Sequence, residues 1–304
     1  MISKVAFAAK AGLLLAGALV VCAFVLWRRK RKTAMMWVLS PLLLGAVLLT
    51  DMILVEPNWI EVDHVRIHSP VLAPALAGVK IAQISCMHVM DKAPWRLRRM
   101  VSLLNAQRPD AILIIGDFLS ERGGMEACLK ALDRLKRPPF GIWAVPGNTD
   151  EIFYSKEELV ELCKEHGITM LVNQFQRASW GGRPAFCLAG VDDPTYGRED
   201  LDRTLGGIPS SVPVLLMAHS PMKRIVENAA DRKVALMLAG HTHGGQVGIP
   251  WLRQMSPYAN RGPYMSGKFQ VKETALYVNR GIGTKTRSIR LLCRPEVTVL
   301  EVVK

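Results

Sequence analysis

Five short apolar runs in this chain each lead straight into residues of metal-ligand type, and that recurrence constrains the fold more than any other feature. Residues 79–85 lead into Cys86-Met87-His88, and residues 111–115 into Gly116-Asp117. Residues 141–145 lead into Pro146-Gly147-Asn148-Thr149-Asp150, and residues 214–218 into His219-Ser220-Pro221. Residues 234–239 lead into Gly240-His241-Thr242-His243-Gly244-Gly245-Gln246. A short continuous apolar run reads as a buried strand. One such loop would mean little, because Asp, Asn and His are ordinary turn formers. A series in one order means more, since an α/β sheet gathers the loops at the carboxyl ends of its strands into one crevice. If extended geometry persists past residue 239, side chains alternate and His241 and His243 face the same side.

With these blocks in place, the chain resembles the calcineurin-like metallophosphoesterase family over roughly residues 78–300. That family carries, in the same order, Asp-x-His, Gly-Asp, Gly-Asn-His-Asp/Glu, a lone His and Gly-His-x-His. Two later stretches, 277–284 (Tyr-Val-Asn-Arg-Gly-Ile-Gly-Thr) and 289–296 (Ile-Arg-Leu-Leu-Cys-Arg-Pro-Glu), look like its membrane-associated bacterial branch. A relative of that broad group cleaves UDP-diacylglucosamine in lipid A synthesis. The resemblance implies a four-layer α/β/β/α sandwich of two mixed sheets. It also implies two divalent ions (Mn, Zn or Fe), bridged by Asp117, that activate a water to attack a phosphoester. Cys86, His88, Asp117 and His243 would hold one ion; Asp117, Asn148, His219 and His241 would hold the other. Such ions, roughly 3.5–4 Å apart, clamp the attacking and leaving oxygens of a phosphoryl transfer. Mixed imidazole and oxygen donors suit Mn, Fe or Zn better than Ca or Mg.

Two positions depart from the family pattern. Cys86 stands where the first block has Asp. It is either a thiolate ligand, which biases its site toward zinc, or a buried neutral thiol beside a degraded site. Thr149 stands where the family has a histidine thought to contact the phosphate and protonate the leaving group. A hydroxyl can donate a hydrogen bond but is no general acid near neutral pH. The expected consequence is slow turnover, or a substrate such as a diphosphate or aryl ester whose leaving group needs little protonation. The alternative is a non-catalytic or weakly active binding protein on the same fold.

Apolarity is concentrated in residues 1–55, where runs 11–27 and 35–50 flank Arg28-Arg29-Lys30-Arg31-Lys32. Each run is close to the roughly 20 residues that cross a bilayer. No convincing small-residue cleavage site follows the first run, which favours a retained span over a removed signal peptide. The expectation is a transmembrane helical hairpin in the lipid bilayer. Basic loops stay cytoplasmic, so two spans place the catalytic domain outside the cytoplasm. Residues 56–77 read as a linker with a first edge strand, in which Val62, Val65 and Ile67 alternate with polar residues. Residues 78–304 read as the metallophosphoesterase domain.

The formal net charge is +13, of which residues 1–55 carry +6 (seven Lys/Arg against Asp51). Lys92, Arg96, Arg98 and Arg99 suggest a basic helix face that either meets anionic headgroups or a phosphorylated substrate, or is simply solvated. No zinc-finger spacing, stacking platform or recognition helix points to nucleic acid. The six cysteines show no paired spacing. Cys128 and Cys163 read as small core residues, and Cys187 and Cys293 could pair in an exported domain. Helices are expected over 96–105, 126–135, 201–205 and 222–230, with another from a Ser155/Glu158 capping box to His166. Strands are expected at 169–172, 185–191, 274–278 and 296–302, and a long loop over 245–268.

Overall fold

The computed structural model of the protein describes Val25 and residues 32–90, 95–196, 198–249, 262–285 and 288–304. The chain divides into two units, Met1–Val55 and Glu56–Lys304. In the first, a helix runs Lys32–Thr50 and continues through a π-helical turn, Asp51–Val55. A 20-residue apolar stretch, Leu39–Asn58, begins within this helix and is the one candidate span among the described residues. The first apolar run, apart from Val25, and basic residues 28–31 lie outside the described residues, as do Cys22, Asp91 and Lys92.

The second unit contains two mixed sheets of six strands each. The first has the order β1 (Glu61–His68), β12 (Glu296–Val303), β2 (Lys80–Ile84), β3 (Ala111–Ile115), β4 (Ile142–Val145), β5 (Ile168–Met170). The second has the order β10 (Gly267–Val271), β11 (Thr274–Val278), β9 (Leu236–Ala239), β8 (Val214–Met217), β7 (Phe186–Gly190), β6 (Gln174–Ala178). β1 lies at a sheet edge, as its alternation suggests, and pairs parallel with β12. The central strands are apolar on both faces because both faces are covered. In β3, Ile112 and Ile114 pack with Leu97, Met100 and Leu104 of the helix Trp95–Gln107 and with Cys163 of the helix Lys156–Glu165. The alternate residues Ala111, Leu113 and Ile115 meet Leu215, Met217, Leu236 and Leu238 of the other sheet. On that sheet's far side, Leu216, Met237 and Leu276 pack with Ile225, Val226 and Ala229 of the helix Lys223–Asp231. Three apolar interfaces therefore separate four layers: helices, sheet, sheet, helices.

Most elements fall where their periodicity places them. The Ser155/Glu158 capping box forms, and His166 caps that helix beside Asp133. Two strands depart from the sequence reading. β10 begins in the last two residues of the expected 245–268 loop and runs on to Val271; 250–261 of that loop lie outside the described residues. β6 was not expected at all. Both are edge strands with exposed or half-buried residues, so neither carries an apolar run. Cys187 and Cys293 are free and buried apart. Cys187 packs among the side chains of the outer helix layer, whereas the Cys293 thiol donates to the carbonyl of His243 at 3.3 Å. The expected basic face is partial: Arg98 and Arg99 are exposed, but Arg96 is half-buried and donates to the Pro57 carbonyl at 3.4 Å.

Candidate metal centre

The candidate ligands sit beyond the carboxyl ends of parallel strands. β2, β3 and β4 are parallel neighbours in one sheet, and β8 and β9 in the other. The crevice therefore straddles both sheets, where an α/β architecture collects its functional loops. Two buried amides lock the sheets together beneath it. Gln83 donates to the Ala239 carbonyl at 2.8 Å. Asn279, just after β11, accepts from Ser85 at 2.8 Å and donates to Thr298 at 2.8 Å.

Asp117 is the hub. Its Oδ1 accepts from both the backbone N–H (2.9 Å) and the hydroxyl (2.6 Å) of Thr149. Its Oδ2 is buried and accepts no hydrogen bond. Two imidazole nitrogens flank that oxygen, His88 Nε2 at 3.4 Å and His219 Nε2 at 3.2 Å. Each of these imidazoles is paired with a second. His88 Nε2 lies 3.0 Å from His243 Nε2, with the rings stacked. His219 Nε2 lies 3.0 Å from His241 Nδ1. The two histidines of His-x-His thus go to different partners. Extended geometry stops at Ala239: His241 and His243 have φ of 66° and 52°, in the left-handed region. Cys86, His88 and Asp117 have φ of 50°, 49° and 56°. Such conformations are uncommon for residues with side chains and cluster at functional sites.

Cys86 is fully buried, and its sulfur accepts the His241 N–H at 3.1 Å. It lies within ligand distance of two groups, one with His88 and His243, the other with Asp117 and His219. Asn148 is buried beside Thr149, and its Oδ1 has no partner. A buried orphan oxygen is costly unless something meets it. Two orphans, Asp117 Oδ2 and Asn148 Oδ1, among buried nitrogen and sulfur donors fit a cation. The Thr149 hydroxyl, committed to Asp117, acts here as an orienting group.

The electrostatics agree. Burial pushes the Asp117 carboxyl up, but His219 and His88 outweigh it and hold it well below the usual range. Burial pushes His219 down, yet Asp117 overrides this and raises it to about 9. Burial drives His88 down to about 4, despite Asp117, and also lowers His243. The Cys86 thiol is pushed up to about 12 by burial and then by Asp117. Unless a cation offsets both, it stays a neutral thiol. His219 Nδ1 faces the Ile115 carbonyl at 2.7 Å, which directs Nε2 to the site.

Sequence reasoning missed the supports. Asp150 accepts four backbone N–H groups, from Asp117 (2.8 Å), Gly147 (2.9 Å), Phe118 (2.7 Å) and Leu119 (3.3 Å). That carboxylate, next after Thr149, ties the Asp117 loop to the Asn148 loop. Its signal was an acid at the end of a ligand block. Ser120, 3.1 Å from His88 Nδ1, had none. The Asp192-Asp193 turn is fully buried; Asp192 pairs with Lys156, and the Tyr196 hydroxyl reaches the Asn148 carbonyl at 3.4 Å.

Comparison with known proteins gives the same class. The family model for calcineurin-like phosphoesterase matches residues 79–245. The chain is 30% identical over 249 residues to the uncharacterized metallophosphoesterase YkuE of Bacillus subtilis, covering 80% of this chain and 86% of that one. It is 31% identical over 255 residues to the phosphodiesterase YaeI of Escherichia coli, covering 82% of this chain and 90% of that one. A transmembrane protein with metallophosphoesterase domain from Danio rerio is 30% identical over 253 residues, which cover 78% of this chain but only 56% of the fish protein. The class is that of metal-dependent phosphoric ester hydrolases. Within it, the chain belongs to the calcineurin-like phosphoesterase family.

Proposed function

We propose that this protein is a membrane-anchored phosphoesterase that hydrolyses a phosphodiester or diphosphate bond of a lipid-linked substrate at a two-metal centre. The observation that carries this reading is the buried Oδ2 of Asp117, which accepts no hydrogen bond and lies between the His88/His243 and His219/His241 pairs. Cys86, His88, Asp117 and His243 would hold one ion; Asp117, Asn148, His219 and His241 would hold the other. A divalent pair (Mn, Zn or Fe) held there would supply Lewis acidity to the phosphoryl oxygens and would lower the pKa of a water. The protein's own part is positional. Thr149 pins Oδ1 so that Oδ2 faces the site, the Ile115 carbonyl sets the His219 tautomer, and Asp150 holds two ligand loops at fixed spacing.

Support for the membrane setting comes from the apolar helix Lys32–Thr50 and from relatives named as transmembrane proteins. The catalytic unit also exposes Trp59 and Trp95, with Arg294 stacked 4.1 Å from the Trp59 ring. Exposed Trp beside Arg suits a headgroup interface. We place the hairpin in the cell membrane with its basic loop cytoplasmic and the catalytic unit outside the cytoplasm. A reporter fused after Lys304 that works only in the cytoplasm would overturn that orientation.

The test of activity is an assay on the purified full chain in detergent, loaded with Mn or Zn. Bis-p-nitrophenyl phosphate is expected to be hydrolysed, with activity lost to a chelator and restored by metal. Without a general acid at Thr149, an alkyl diester should turn over about a hundredfold to ten-thousandfold more slowly than the aryl one. A metal-loaded protein inert toward phosphodiesters and diphosphates alike would contradict the hydrolase reading and favour a binding role.

A further inference from the structure

We propose that Lys285 supplies the positive charge that binds the substrate's phosphoryl oxygens, an inference that rests on the phosphoesterase reading above. The segment after β11 is stitched to the first ligand loop: Ile282 N–H donates to the Ser85 carbonyl at 3.0 Å and Gly283 N–H to the Cys86 carbonyl at 2.7 Å. Two residues on, the Lys285 N–H donates to Gln246 Oε1 at 3.0 Å. Gln246 lies three residues beyond His243, and its Nε2 donates to the Ile289 carbonyl at 2.9 Å, which clips the same loop from the other side. Lys285 is therefore anchored between the loop of Cys86 and His88 and the loop of His241 and His243. It is half-buried, and its ammonium makes no ion pair among the described residues. Its positive charge is one of the lesser influences on Cys86, His88 and Asp117, behind burial and the pairing between Asp117 and the imidazoles.

The other cations acting on these imidazoles are committed elsewhere. Arg290 donates to the carbonyls of Cys293 (3.0 Å), Arg280 (2.9 Å), Gly281 (3.1 Å) and Gly283 (2.7 Å), which makes it a brace for the Lys285 segment. Arg96 donates to Pro57. The Thr149 hydroxyl is held by Asp117. A flexible ammonium with three donors matches a phosphate as a point charge and leaves the metal ligands undisturbed.

The probes are inorganic phosphate, titrated calorimetrically into the Mn-loaded full chain, and bis-p-nitrophenyl phosphate in steady state. Lys285→Gln is expected to raise both the phosphate Kd and the KM about tenfold to a hundredfold, the range for a lost charge-assisted hydrogen bond. Metal content should not change, and Lys285→Arg should recover most of the loss. An unchanged Kd and KM in Lys285→Gln, with wild type binding phosphate, would overturn this inference alone. So would a fall in metal content that tracks the loss of phosphate binding, since the residue would then act on the ligand loops. A wild type that takes up metal but neither binds phosphate nor hydrolyses the diester would overturn the phosphoesterase reading, and Lys285's role with it.

Discussion

Asp117→Asn is expected to reduce phosphoester hydrolysis by about a thousandfold or more, the effect of losing roughly 4 kcal/mol of metal-derived transition-state stabilisation. The substitution is nearly isosteric, so Thr149 can still hold the side chain through Oδ1 and Asp150 can still accept the backbone N–H. What disappears is the negative charge between two imidazole pairs. A structural consequence follows that does not depend on activity. Asp117 is what lifts His219 to about 9 against the effect of burial. Without that carboxylate, the imidazole should titrate well below about 9, visible in an NMR titration. The sign is fixed: a raised pKa stabilises the metal-free fold below about 6.5 and loses that contribution as pH passes through about 9. The variant's stability should lack this alkaline decline. A variant with wild-type turnover would remove Asp117 from the mechanism.

Gly147→Ala is expected to cost about 2–5 kcal/mol of stability and to abolish metal uptake, as overpacking adds to distortion of a ligand loop. A methyl group at this position would stand 2.2 Å from the Asp117 backbone nitrogen and 2.5 Å from its Oδ1. Neither atom can retreat, because that nitrogen is bonded to Asp150 and that oxygen to Thr149. The facing residue, Gly116, has φ +67°, and a Cβ there would meet His219 Nδ1 at 2.6 Å. The β3 and β4 loops touch backbone to backbone, and this contact brings Asn148 and Thr149 up to Asp117. For a domain of this size the loss corresponds to a fall of roughly 5–15 °C in melting temperature. A variant with unchanged melting and metal content would contradict the packing.

The candidate ligands at the strand ends are legible because their signal is local: an apolar run followed at once by His, Asp or Asn. Cys86, His88, Asp117, His219, His241 and His243 stand in direct contact or within ligand distance of one another, with Asn148 buried beside them. Edge strands β6 and β10 are illegible for the opposite reason, since a strand paired on one side has little apolar patterning. The divergence of His241 from His243 depends on left-handed backbone that period-two reasoning does not anticipate. The supports are harder still. Asp150, Gln83 and Asn279 each reach a group more than 30 positions away, in the Asp117 loop, at Ala239 and at Ser85, and no spacing rule connects them. Thr149 shows the limit most clearly. Its identity predicts a missing general acid, but its bond to Asp117 becomes visible only in three dimensions.

The most direct test is anomalous diffraction from crystals of the full chain grown with Mn or Zn. Two peaks are expected beside Asp117 Oδ2, one within bonding distance of His88 and His243, the other of His219, His241 and Asn148. The Cys86 sulfur should complete the coordination sphere of the first ion. No anomalous density at Asp117, in crystals whose protein hydrolyses phosphodiesters, would contradict the account at its root.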